Sequence, residues 1–192
     1  MPREQATNLR RPVQTAAVSI MRQEAIDVVM PIQEGRYIPL AVLRGLVGQD
    51  VVARLWTSTQ YSRADFASAR NNVKKYGRTD KVLMLDNDIV LPEGALSRMC
   101  QFLNTHKHYA AIALSKREKP VSSDEAIDAK HIDMSCVLFR RSMLERITFR
   151  QGSGTCECQG CCDDIRRMGL SIGLLTGVKA DHIATTRLEP LT

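Results

Sequence analysis

The chain has 192 residues, of which 44% are hydrophobic and 25% charged, so it can bury a sizeable core; a disordered tail, a collagen-like rod and a disulfide-stapled miniprotein are excluded. Lys and Arg number 27 against 21 Asp and Glu, a formal net charge of +6. The basic residues fall in small scattered clusters (Arg10-Arg11, Lys74-Lys75, Arg140-Arg141, Arg166-Arg167) with little aromatic interleaving, which reads first as a solvated surface. A nucleic-acid-binding patch, or a pocket for a phosphate-bearing small molecule, stays open.

Residues 1–24 are polar and weakly patterned and are expected to form an N-terminal extension without the apolar stretch of a secretory signal. Ala25-Ile26-Asp27-Val28-Val29-Met30-Pro31 is a short apolar run that proline should stop, the pattern of a buried parallel strand. Residues 39–48 place Leu40, Leu43, Leu46 and Val47 on one helical face, with Pro39 near the start and Gly48 at the end. A strand is expected over 51–56, a helix over 66–76 closed by Gly77, and a strand over 81–85 running into Asp86-Asn87-Asp88. A third helix over 92–104 aligns Leu96, Met99 and Leu103, and a short strand follows at 110–114.

Residues 115–130, SKREKPVSSDEAIDAK, show no core pattern and read as a long loop, functional or disordered. Strand character returns over 131–139 and helical character over 140–146. A flexible connection spans 151–155, then a helix over 156–168 closed by Gly169, a last strand from 171 towards 178, and a tail after His182. The alternation of strand and helix in the first half predicts an α/β domain over 25–192 with a mostly parallel sheet. No apolar run reaches the ~18 residues of a membrane helix. The expected setting is cytoplasmic, with the six cysteines as thiols or metal ligands.

The sharpest local feature is Leu83-Met84-Leu85-Asp86-Asn87-Asp88-Ile89-Val90-Leu91-Pro92. Two carboxylates one residue apart at the C-terminal end of a buried strand stand where ligands bind in open α/β sheets. They supply the incomplete oxygen shell that Mg²⁺ or Mn²⁺ completes with phosphate; a polar turn ending a strand is the plainer reading.

Ala69-Arg70-Asn71-Asn72, followed about a dozen residues later by LMLDNDIVLP, resembles the core of the family-2 glycosyltransferases with the GT-A fold. Asp27-Val28-Val29-Met30-Pro31 with the helix ending at Gly48-Gln49 is similar to that family's first strand and helix. The run from Met134 into Arg140-Arg141 is similar to its later strand and Arg-Arg turn. The stretch from Glu157 to Gly169, with a strand reaching His182, resembles its acidic helix and closing metal histidine. The likeness spans about residues 25–183. It implies a three-layer α/β/α GT-A-like domain and transfer of a sugar from a UDP- or GDP-sugar donor to an unidentified acceptor, assisted by Mn²⁺ or Mg²⁺. Asp86 and Asp88 are then metal ligands with His182 as a third, and Pro31, Arg70, Asn71 and Asn87 join them around the donor.

Two departures matter. The family carries a Glu-Asp pair about a dozen residues before the helix-ending glycine, whereas here Glu157 is followed by Cys158. The acceptor base is Glu157, or Asp163 or Asp164, or a retaining reaction needs none; Asp163 and Asp164 read equally well as balancing Arg166 and Arg167 on a wet helix face. The family also often has a base-reading Asp after the second strand, and this chain has Trp56-Thr57-Ser58-Thr59-Gln60. A degenerate domain that binds without catalysis, a DNA-modifying glycosyltransferase and a nucleic-acid-interacting protein are therefore the competing readings. The chain is short for this family, so loop 115–130, the 152–155 segment or a partner copy in a homo-oligomer is expected to complete the acceptor pocket. Cys156, Cys158, Cys161 and Cys162 could ligate zinc or do redox chemistry, but four thiols along one helix do not converge on a single ion, so packing is the leading expectation.

Overall fold

A computed structural model of the protein describes residues 24–33, 36–61, 65–115, 126–151 and 156–183. Apart from Glu24 the expected N-terminal extension lies outside the described residues, as do 116–125 of the charged loop, the 152–155 connection and the tail beyond Ile183. In chain order the elements are β1 (Ala25–Gln33), α1 (Leu40–Val47), β2 (Val52–Tyr61), α2 (Phe66–Val73), β3 (Lys81–Leu85), β4 (Ile89–Val90), α3 (Ala95–Thr105), β5 (Tyr109–Ser115), β6 (Ala126–Asp128), β7 (Cys136–Arg140), α4 (Arg141–Leu144), α5 (Glu157–Arg167), β8 (Ser171–Lys179) and β9 (Asp181–His182).

Seven strands make one sheet in the order β2-β1-β3-β7-β5-β8-β6, and β4 pairs with β9 beside it. β1 runs parallel to β2 and β3, and β5 parallel to β8; β7 is antiparallel to both neighbours and β6 to β8. Strand alternation builds the layers. Ile26, Val28, Met30, Leu83 and Leu85 face one way and pack on Val42 and Leu46 of α1 and on Leu96, Met99 and Leu103 of α3. Val29, Val82, Met84, Val137 and Phe139 face the other way, against Ala67 and Val73 of α2, Leu144 of α4 and Cys161 and Ile165 of α5. The result is the expected α/β/α sandwich. Each fully buried Val, Leu, Ile or Met contributes about 1.5–3 kcal/mol, and β3, buried along all its length, lies inside the sheet between β1 and β7.

Several boundaries differ from expectation. β1 does not stop at Pro31 but continues to Gln33, because its pairing with β3 ends at Val29 and the missing proline N–H interrupts no bond on that side. The third helix starts at Ala95, not at 92, since Gly94 ahead of it takes φ +69, outside the helical region. The strand expected from 131 begins only at Cys136. The Asp133 carboxylate accepts the Ser135 N–H at 3.0 Å and its hydroxyl as well, folding 131–135 into a turn. β2 is longer than expected. β6 lies inside the expected loop, where pairing with β8 orders three residues that carry no apolar alternation.

The edge of the sheet at the start of β1 and β3 is tied by Asp27, which has no exposed surface. Its carboxylate accepts Trp56 Nε1–H at 2.9 Å, the Arg78 and Thr79 amides at 2.7 Å each, and Arg141 Nη2–H at 2.7 Å. Burial alone pushes this carboxyl up, but hydrogen bonds from the Thr79 amide, Trp56, the Thr79 hydroxyl and the Arg78 amide together hold it below its ordinary range. Gly77, at φ +81, lets the chain pass this carboxylate: a Cβ there would stand 2.1 Å from its atoms.

Two outcomes follow for stability. Gly77→Ala should lose at least about 2 kcal/mol in urea titration, from backbone strain together with displacement of the Asp27 carboxylate. Asp27→Asn should cost about 3–5 kcal/mol at neutral pH by stranding the Arg141 guanidinium. Because the native pKa is depressed, the stabilisation from Asp27 is present above the unfolded value near 4 and is lost as pH falls through the native one. Urea midpoints measured downward from pH 6 should therefore fall less steeply in Asp27→Asn than in the wild type.

Candidate active site

β1 and β3 deliver their C-terminal ends to the edge opposite Asp27, and the acidic turn begins where β3 stops. The Asp86 amide donates to Ser135 O at 2.8 Å, fastening the turn to the segment ahead of β7. Its carboxylate faces Arg70, with Nη2 and Oδ1 3.0 Å apart. Arg70 is 2% exposed. It also donates from Nη1 to Met134 O at 3.2 Å, and its Nε is 3.5 Å from Glu157 Oε1. The Phe66 ring lies 6.0 Å from the guanidinium carbon. One buried cation on α2 thus joins Asp86 to Glu157 at the start of α5. The guanidinium is buried between these two carboxylates and orients both of them.

Asp88 and His182 are 94 residues apart in sequence, yet Asp88 Oδ2 and His182 Nε2 are 3.1 Å apart. Backbone pairing brings them together: Ile89 is in register with His182, and the Ile183 amide donates to Asp88 O at 2.9 Å. Strands of two residues have no readable periodicity, so β4 and β9 were invisible in the sequence. Asn87 turns away and donates from Nδ2 to Tyr37 O at 2.8 Å. Pro31 is buried near the C-terminal end of β1.

Asn71 has a structural partner. Its side chain donates to Phe149 O at 2.8 Å and accepts the Phe149 amide at 3.1 Å, a two-way bond that clamps the backbone at Phe149 onto α2. The three carboxylates considered as bases also separate. Asp164 contacts Arg150 at 2.7 Å and Arg167 at 3.1 Å. Burial raises its pKa, but the Arg150 hydrogen bond, the Thr148 amide and the charges of Arg150 and Arg167 bring it below the ordinary value. Asp163 accepts Gln159 Nε2–H at 2.8 Å. At a 1.5 Å rise per residue both stand about 9–10 Å further along the helix than Glu157. Of the three, Glu157 is the one joined through Arg70 to Asp86.

The cysteines of α5 divide as well. Cys161 and Cys162 are buried in the second core cluster, as packing predicts. Cys158 donates its S–H to the Cys156 sulfur at 2.8 Å, and Cys156 Sγ is 3.2 Å from His131 Nε2. Burial, reinforced by the hydrogen bond to Cys156, pushes the Cys158 thiol up to about 12. Among the described residues, His131, Cys156 and Cys158 are the one group of three metal-ligating side chains whose ligand atoms all lie within 4.8 Å of one another. Asp86, Asp88 and His182 do not form such a group: Asp86 pairs with Arg70, and Asp88 with His182. His131 stands 25 residues upstream of Cys156, and no local pattern in the sequence links the two.

Among the described residues, the basic clusters contribute internal contacts. Arg140 donates to Tyr109 O at 2.9 Å and to Leu103 O, Arg141 reaches Asp27, and Arg166 donates to Lys130 O at 2.6 Å.

No family model and no curated protein matches the sequence. Solved structures do match in fold. Residues 1–349 of TarS from S. aureus in complex with UDP-GlcNAc align at 16% identity and TM-score 0.62, over 87% of this chain and 61% of that one. The mannosyltransferase PcManGT from Pyrobaculum calidifontis, in complex with GDP-Man and Mn²⁺, aligns at 16% identity and TM-score 0.59, over 81% and 58%. A197 from STIV aligns at 14% identity and TM-score 0.57, over 85% and 87%. The chain spans less than two thirds of the first two chains. Together with the sheet order and layers, these likenesses show that the chain has a GT-A-like α/β fold of the kind found in glycosyltransferases.

Arg70 is the residue whose loss should be felt most. Arg70→Met should reduce stability by about 3–5 kcal/mol in urea titration, because it leaves Asp86 and Glu157 facing a buried apolar side chain. Adding Glu157→Gln to that variant should recover part of the loss, and a double-mutant cycle reads the coupling.

Proposed function

We propose that the protein transfers a sugar from a nucleotide-sugar donor with the help of a divalent cation bound at the Asp86–Asp88 turn. The contact between Asp88 and His182 carries this reading: a carboxylate and an imidazole from distant parts of the chain converge at the ligand-binding edge of the sheet, beside a carboxylate anchored on a buried arginine. The fold supports it, and UDP-GlcNAc and GDP-Man, each bound by a similar structure, supply the donor class to test.

The donor set fits such an ion. Asp88 Oδ2 and His182 Nε2 are close enough to share one cation, which leaves the remaining positions to diphosphate oxygens and water. An imidazole beside a carboxylate suits Mn²⁺ better than the strongly hydrated Mg²⁺. When bound, the ion supplies Lewis-acid neutralisation of the charge that develops on the departing diphosphate. The chain's own residues do the rest. Arg70 holds the Asp86 carboxylate in one orientation at the donor edge, and the same guanidinium fixes Glu157. Glu157 is then the group that accepts the acceptor hydroxyl's proton as the sugar's bond to the diphosphate breaks.

Thermal unfolding tests this directly. UDP-GlcNAc or GDP-Man at a hundredfold excess over Kd should stabilise the wild type by about 2.7 kcal/mol when Mn²⁺ is present and far less without it. Asp88→Ala should abolish the response. A wild type that responds to no metal–donor pair would overturn the proposal. Glu157→Gln should keep donor stabilisation while release of nucleoside diphosphate, measured with and without candidate acceptors, drops about 10²–10⁴-fold; equal rates in both proteins would remove Glu157 as the base.

A further inference from the structure

We propose that His131, Cys156 and Cys158 form a binding site for a thiophilic divalent cation, Zn²⁺ in the first instance, separate from the Asp86–Asp88 turn. Two thiols and an imidazole are the ligand chemistry of zinc, and residues separated in sequence supply them at a single point. The local backbone explains how Cys156 and Cys158 can meet. Residues two apart within a helix point in different directions. Cys156, however, is the residue before the helix, with extended φ −76 and ψ 157, and this swings its sulfur to 2.8 Å from that of Cys158.

The segment bearing His131 is held to the same helix. Arg166 of α5 donates to Lys130 O at 2.6 Å and to Ala129 O, and the Ala129 amide donates to Ile172 O at 2.9 Å. The backbone next to His131 is thereby tied to α5 and β8, which places the imidazole within reach of both sulfurs. Tetrahedral zinc, with bonds near 2.3 Å to sulfur and 2.0–2.1 Å to nitrogen, sets its ligand atoms about 3.5–3.8 Å apart. The observed separations of 2.8 and 3.2 Å need to widen by no more than about 1 Å. Cys156 and His131 are exposed and Cys158 is 7% exposed, so a fourth position opens to solvent for water or an external ligand. Glu157 lies between the two thiols while its carboxylate points to Arg70. A bound ion would therefore fix the start of α5 and with it the position of this carboxylate.

The site stands without the donor chemistry, and its test uses neither donor nor manganese. The full chain, purified under reductant without chelator, is incubated with Zn²⁺, desalted and analysed for metal. The wild type should retain about one zinc per chain, the Cys156→Ser/Cys158→Ser double variant none, and the exposed-site variant His131→Ala should bind at least tenfold more weakly. Asp88→Ala should retain as much zinc as the wild type. Replacement by Co²⁺ should give thiolate-to-cobalt charge-transfer absorption and the intense visible bands of a tetrahedral ion. The inference is overturned if the wild type retains no zinc, if the double variant retains as much, if zinc is lost with Asp88→Ala instead, or if thiol titration finds Cys156 and Cys158 joined as a disulfide under these reducing conditions.

Discussion

A single guanidinium organises the functional edge of this molecule. Arg70 is almost wholly buried and faces two carboxylates, Asp86 from the turn after β3 and Glu157 from the start of α5, together with the Met134 carbonyl. A buried charge persists only when partners compensate its desolvation. Those partners here are the side chains to which the proposed chemistry assigns a role. Helix α2, the acidic turn, the segment before β7 and α5 therefore cannot shift independently without stranding a charge. The polar network at the other end of the strands, around Asp27, works in the same way but serves the framework: Arg141, Trp56 and the Thr79 loop converge on one carboxylate.

The two networks bracket the sheet. Between them, β1 and β3 present apolar side chains to both helical layers, so the central strands are rigid and their ends are accurately placed. Rigidity at strand ends is what a site of hard ligands needs, because an ion held by only a few protein atoms depends on their separation. Asn71 contributes in a less visible way. By bonding both backbone groups of Phe149, it ties α2 to the segment that follows α4.

Much of this was legible in the sequence, and the physical reasons are specific. The apolar runs of β1 and β3 and the periodic faces of α1 and α3 announce themselves because burial on two sides demands continuous hydrophobicity. Asp86-Asn87-Asp88 is conspicuous because charge interrupts such a run abruptly, and the likeness to glycosyltransferases rests on that interruption and its neighbours. Roles were harder to read than locations. Arg70 and Asn71 look like an ordinary polar helix face, and only tertiary packing turns one into a buried anchor and the other into a backbone clamp. β4 and β9 consist of two residues each, too few for any pattern. The turn at Asp133 comes from one side chain capturing Ser135, an outcome that overrides the strand preference of its surroundings. His131 was hidden for a related reason: its relationship to Cys156 exists only in three dimensions.

The pairing of β4 with β9 also bears on how the molecule comes into being. The acidic turn is synthesised 94 residues before the imidazole that meets it. Loop-closing contacts of that span form late, after the intervening layers have settled. A nascent or partly folded chain would thus hold the turn with its histidine still absent, and the carboxylate–imidazole pair on which the proposed ion depends belongs to the finished architecture alone.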